Sequence, residues 1–161
     1  MTRNSLAEKN CSLARALDVV GEWWSLLLVR EAFFGTRRFQ DFAANLGIAR
    51  NILSNRLKRL VTEGVLARME GAGGAVEYTL TRKGEALLPV LVTLMQWGDA
   101  HANDDPPPVI LTDRATGTPL PPVEVLAADG RILTRTDIRA MPGPGADIPL
   151  RDRLLPRQSL G

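Results

Sequence analysis

Between Arg37 and Arg59 the chain sets six cations, Arg37, Arg38, Arg50, Arg56, Lys58 and Arg59, against one acid, Asp41, a net of +5 over 23 residues. A field of that sign suits a polyanion better than a small substrate. The chain as a whole is only +2, so the distribution carries this signal and the total does not. Within the stretch, Arg50, Asn51, Ser54 and Asn55 are spaced so that a helix brings them to one face. Arginine reads guanine and asparagine reads adenine through paired hydrogen bonds, which makes these four candidates for contacts to base edges. Arg37, Arg38, Arg56, Lys58 and Arg59, with Arg68 further on, are candidates for phosphate contacts, which set position and salt dependence rather than specificity. One of these cations has Asp41 or Glu63 as an alternative partner. The same polar face also fits a plain solvated helix, and its neighbours in the chain decide between the two readings.

Other chemistry is poorly provided for. Cys11 and His101 are the only cysteine and histidine. A Cys/His zinc site is therefore excluded, as is any Cys–His or Ser–His–Asp device not built on His101. The "GAGG" at 71–74 falls in a hairpin pattern and not between a strand and a helix, so it is not a phosphate loop. No enzyme activity, cofactor or metal is expected. Cys11 is a candidate redox sensor, with Lys9 and Arg15 near in sequence, against the plainer reading of an inert small hydrophobe. No apolar run approaches the roughly 20 residues of a membrane span. "MTRNSLAEKNCS" lacks a signal-peptide core, and one cysteine permits no internal disulfide. A cytoplasmic protein with no membrane partner is the expectation.

The elements that must position these residues are mostly helical. "CSLARALDVVG" offers Ser12 as a cap and Leu13, Ala16, Leu17 and Val20 on one face. "EWWSLLLVREAFFG" is apolar almost all round and reads as a central buried helix. "RRFQDFAANLG" is short, with Phe39, Phe42, Ala43 and Leu46 inward and Gly47 as its stop. The helix near 49–63 turns Ile52 or Leu53, Leu57, Leu60 and Val61 inward. "VLARMEGAGGAVEYTLT" then alternates as a strand, a glycine turn and a strand, with Leu66, Val76, Tyr78 and Leu80 inward. Thr81 caps a last long helix in which Pro89 marks a bend or the early turns. A short helix, a tight glycine turn and a polar-faced helix followed by a hairpin predict a mainly α fold with a β-hairpin wing (α+β), a winged helix–turn–helix. The first and last helices keep more apolar surface than such a domain hides. Leu13, Leu17, Leu91, Leu94 and Met95 are the expected interface of a homodimer. Trp23, Trp24, Phe33, Phe34, Phe42 and Trp97 are candidates for an effector pocket, with ordinary core as the alternative.

Composition changes near residue 104, after which ten of the eleven prolines lie. The expected division is an N-terminal arm over 1–10, the winged domain over 11–103, a proline-rich linker and short β-ribbon over 104–141, and a flexible tail over 142–161. Val109–Thr112, Val123–Leu126 and Arg131–Thr134 are the expected short strands of that C-terminal extension.

The pieces "ARALDVVGEWW", "FFGTRRFQDF", "ILSNRLKRLVTEGVL" and "VEYTLTRKG", in this order from Cys11 to Trp97, resemble the HxlR family of bacterial winged-helix regulators, relatives of the MarR group. The resemblance implies a homodimer on double-stranded DNA at an inverted-repeat operator, dimerisation through the first and last helices, and a response to a small-molecule effector or oxidant, sometimes through a cysteine where Cys11 stands. The resulting expectation is a repressor that reads its operator with the helix near 49–63. The competing one is a winged-helix protein-interaction module with little sequence-specific DNA binding. Three departures from the family pattern stand out. Ala49 replaces a capping serine, the wing has no cation from Gly71 to Val76, and Trp23 adds an aromatic beside Trp24.

Overall fold

A computed structural model describes Leu6, residues 8–102 and residues 105–155, the side chain of Ala72 aside. The expected boundary at 104 and parts of the expected arm and tail (1–5, 7 and 156–161) lie outside the described residues. The chain divides into two compact units, Ala16–Pro122 and Met1–Arg15 with Val123–Gly161.

The elements run α1 (Ser12–Val20), α2 (Trp23–Phe33), α3 (Phe39–Leu46), α4 (Arg50–Thr62), β1 (Leu66–Glu70), β2 (Val76–Leu80), α5 (Arg82–Glu85), α6 (Leu88–His101) and α7 (Ile148–Leu154). β1 and β2 form an antiparallel hairpin in the register Leu66–Leu80, Arg68–Tyr78, Glu70–Val76. A single bridge between Arg38 and Glu77 adds the segment before α3 to its edge. The larger unit is thus a mainly α fold with a wing.

Its core is one cluster: Leu28 and Val29 of α2, Phe42 of α3, Ile48 just before α4, Leu53, Leu57 and Leu60 of α4, Val65 just before β1, Leu66 of β1 and Leu91 of α6. Each such side chain contributes about 1.5–3 kcal/mol on burial, before the entropy of ordering the chain is subtracted. The open choice on α4 falls to Leu53, which is fully buried, while Ile52 is exposed. Gly47 separates α3 from α4 with φ 60°, a conformation that a side chain disfavours, so the sharp turn needs glycine there. Gly84 is needed for a different reason. A Cβ on it would run into the Val65 carbonyl, so only glycine lets α5 pack this close to the start of the hairpin.

Several elements differ from the expectations. Ser12 is the first residue of α1, so Cys11 precedes the helix. The last long helix is two, because the chain kinks at Ala86–Leu87 and Pro89 falls in the first turn of α6, where its missing N–H has no helical partner to lose. Thr81 does cap, but it caps α5: its hydroxyl accepts from Gly84 N at 3.2 Å and donates to Gly64 O at 2.6 Å. In the extension, the three expected strands give only the single bridges Thr112–Pro119 and Leu126–Ile132. Around the first run, Pro106–Pro108 and Pro119, Pro121 and Pro122 remove N–H donors that a ladder would use. The tail expected from Pro142 contains α7, capped by the Asp147 carboxylate accepting from Leu150 N at 3.0 Å with Pro149 in its first turn.

Candidate nucleic-acid interface

α4 is amphipathic in the sense a groove-reading helix requires. Leu53, Leu57 and Leu60 are buried on one side, and Arg50, Asn51, Ser54, Asn55 and Lys58 are exposed on the other. Its N-terminus rests on Ala49, which supplies no side-chain acceptor. A serine there would stabilise the helix by about 1 kcal/mol. The guanidinium of Arg50 lies 5.5 Å from the centre of the Phe39 ring, which steadies that side chain at the start of the polar face.

The expected phosphate-binding cations divide by partner. Arg56 pairs with Glu22 at 3.1 Å. Arg59 reaches Asp18 through its carboxylate at 3.3 Å and its backbone oxygen at 2.5 Å, and stands 3.9 Å from Glu63. The Nε atoms of Arg56 and Arg59 are buried without a hydrogen bond, so both guanidinium groups lie partly against α1 and α2. They tie α4 to the body of the unit. Arg38 stands 3.7 Å from Glu77. Arg37, Lys58 and Arg68 are exposed or half-exposed and hold no ion pair among the described residues, which leaves them the cations most available to a polyanion. The wing is less suited to one. Around its Gly71–Ala75 tip stand Glu70 and Glu77, and Arg68 is its only cation.

A second support for the turn carries no clear mark in the sequence. Glu31, buried in α2, accepts from Arg30 at 2.9 Å, from the Thr36 hydroxyl at 3.1 Å and from Asn45 Nδ2 of α3 at 3.0 Å. It thereby joins α2, the turn after it and α3. Its one signal is a lone acid within an otherwise apolar helix core. Burial pushes the Glu31 carboxyl up, but the hydrogen bonds from Asn45, Arg30 and Thr36 together outweigh it and hold the group below its ordinary value of 4.5. Its stabilising contribution is therefore complete above the unfolded-state value and lost as pH falls through the folded one. Glu31→Gln is expected to cost about 1–3 kcal/mol, by leaving a donor facing a donor, and to flatten the acid limb of a stability-against-pH curve. An unchanged acid limb would show that Glu31 does not carry it.

The remaining predicted residues scatter. Phe42 is fully buried and meets Tyr78 edge-on at 6.4 Å, while Trp24 and Phe33 pack on the core. Trp23 is 87% exposed, Trp97 59% and Phe34 47%, the last with the Arg30 guanidinium over its ring. Of the expected dimer residues Leu13, Leu17 and Leu94 are exposed, Leu91 lies in the core and Met95 is half-buried. Val90 and Trp97 join Leu94 as an exposed apolar stripe on α6. Cys11 is exposed. The Ala14 backbone N–H holds its thiol below the usual value of 9.0, against an opposing effect of desolvation and with help from Leu13 N–H, Arg15 and Arg153.

A recognition-type helix set across a glycine turn from α3, with a hairpin behind it, defines a winged helix–turn–helix protein of the DNA-binding regulator class. The family model described as HxlR-like helix-turn-helix matches residues 19–106, and the chain belongs to that family. It is 42% identical over 137 residues to the HTH-type transcriptional regulators Mb3122 of Mycobacterium bovis and Rv3095 of Mycobacterium tuberculosis, spanning 83% of this chain and 87% of each relative. Among solved structures it is similar to PA1607, a candidate transcription factor, with a TM-score of 0.81 at 43% identity over 85% of this chain and 98% of that one. The reduced form of the redox regulator HypR is similar with a TM-score of 0.53 at 27% identity, over 58% of this chain and 95% of its own. The chain is a helix–turn–helix transcriptional regulator and not an enzyme. No helix among the described residues is long and apolar enough to cross a membrane.

Proposed function

We propose that the chain acts in the cytoplasm as a homodimeric repressor that reads an inverted-repeat operator with the outer face of α4 and changes its DNA binding on a redox or small-molecule signal. The observation that carries this reading is the exposed, acid-free face of Arg50, Asn51, Ser54, Asn55 and Lys58, on a helix whose opposite face is core. Two copies would bury the apolar residues left outside by α1 and α6, Leu13 and Leu17 on the one and Leu94 on the other. Binding to the promoter upstream of its own gene, titrated with salt, tests the proposal. Affinity should fall steeply as salt rises, and Lys58→Gln should lower the slope of log K against log salt by about 0.9 for each phosphate it no longer neutralises. Failure to bind such DNA even at low salt would overturn the proposal and favour a protein-interaction module.

Cys11 supports a redox signal, as in the regulator HypR. It is exposed, stands at the N-terminus of α1, and has its thiolate favoured by backbone N–H groups and by arginine. Its alkylation rate followed against pH should show a midpoint below that of an unperturbed thiol. A midpoint at or above the ordinary value removes this support.

A further inference from the structure

We infer that a cavity between α6 and the start of the C-terminal extension is a binding site for a small organic cation with a flat apolar body, an arylalkylamine being the simplest form. The cavity is a cleft of about 130 Å³, open to solvent on one side and lined by Met95, Gln96 and Asp99 of α6 and by Val109, Leu111 and Leu120 of the extension, Val109 and Leu120 being partly exposed. An enclosed apolar cavity of about 150 Å³ takes up benzene, so this open cleft has the size of a single ring. Its wall is apolar apart from Gln96 and Asp99, and among the described residues Asp99 is the only ionisable side chain in it. A cation meets a charge-assisted hydrogen bond at that carboxylate, and an anion meets repulsion.

The wall is held in place by its own bonds. Leu120 N donates to Leu111 O at 2.9 Å, Asp113 N to Thr118 O at 2.8 Å, and Gly117 turns the chain with φ 72°, which makes residues 111–120 a tight hairpin. Gln96 Nε2 donates to Pro121 O at 2.9 Å and fastens that hairpin to α6. The extension is also what separates this chain from shorter regulators of similar fold. HypR is matched over 95% of its length by 58% of this chain, whereas PA1607 is matched over 98% of its length by 85% of this chain. Met95, Gln96 and Asp99 lie on one flank of α6, and the exposed Val90, Leu94 and Trp97 lie on the other. A ligand in the cavity thus bears on the back of the helix whose front is offered to a second copy. The consequence for DNA rests on the function proposed above; the site itself does not.

The test is calorimetric titration of the full chain with benzylamine, benzyl alcohol and benzoate. Benzylamine should bind saturably at one per chain, benzyl alcohol at least about tenfold more weakly, and benzoate not at all. Asp99→Asn should weaken benzylamine about tenfold and erase its advantage over the alcohol, while Val109→Trp, filling the cavity, should abolish binding of both. The Asp99→Asn arm keeps the test decisive if the tryptophan variant fails to fold. No saturable binding of benzylamine, or equal binding of the alcohol, overturns the site. If benzylamine binds and the protein binds its promoter with unchanged affinity, the regulatory consequence falls and the site stands. If the protein binds no promoter DNA at all, the proposed function falls, and the calorimetry is unaffected.

Discussion

Replacing Asn51 by alanine is expected to weaken binding to the preferred DNA site by about 5- to 150-fold, corresponding to the 1–3 kcal/mol of a paired contact to a base, while affinity for unrelated DNA stays nearly unchanged. The side chain is exposed on the second residue of α4, one turn ahead of Ser54 and Asn55 and opposite the buried Leu53. It makes no hydrogen bond within the chain among the described residues, so its replacement should leave stability within about 0.5 kcal/mol of the parent. Those two properties separate a reading role from a structural one. Binding curves for Asn51→Ala on the preferred site and on a scrambled duplex, with a thermal melt, measure both. Equal weakening on the two duplexes would place Asn51 among the backbone contacts, and no weakening on either would remove it from the interface. Lys58→Gln provides the contrast, because a phosphate contact lowers both affinities together and changes the salt slope.

Phe42→Ala should destabilise the protein more than any other substitution proposed for it, by about 3–5 kcal/mol. The ring is fully buried in the cluster that α2, α3 and α4 share, and it meets Tyr78 of β2 at 6.4 Å in an edge-on arrangement. Truncation leaves a void among neighbours held by three helices and the hairpin, where little collapse can fill it. Because Phe42 carries α3 against the body of the unit, DNA binding should fall in step with the folded fraction and recover as temperature is lowered. Chemical denaturation with binding measured in parallel tests this. A destabilisation below about 1 kcal/mol with a selective change in response to small molecules would return Phe42 to an effector-pocket role.

Much of the fold was legible because it is local. The periodicity of "FQDFAANL" and "RNILSNRLKRLVT", the glycine between them and the alternation in "VEYTL" each report a helix, a turn or a strand through neighbours a few residues apart. The outward set of Arg50, Asn51, Ser54 and Asn55 follows from the same periodicity once Leu53, Leu57 and Leu60 face in. Elsewhere local composition pointed away from the structure. The prolines and glycines after Pro142 read as a mobile tail, although Asp147 with Pro149 is a helix start. The β-favouring runs of the extension read as strands, although they form only single bridges, and Pro119, Pro121 and Pro122 between the first two remove donors a ladder uses.

Residue types and spacings alone determined the class of element, the polar face of α4 and the local +5 field. Those are properties of the chain over one or two turns, where covalent geometry dictates which side chains share a face. Only the tertiary structure decided which of the cations meet an acid. Arg59 meets Asp18 across 41 residues of chain, and Arg56 meets Glu22 across a comparable span. Glu31 gathers Arg30, Thr36 and Asn45 around one buried carboxylate. Such partners are chosen by which surfaces the core brings together. An ion pair's strength depends on distance through space and on exclusion of water, neither of which a linear spacing encodes.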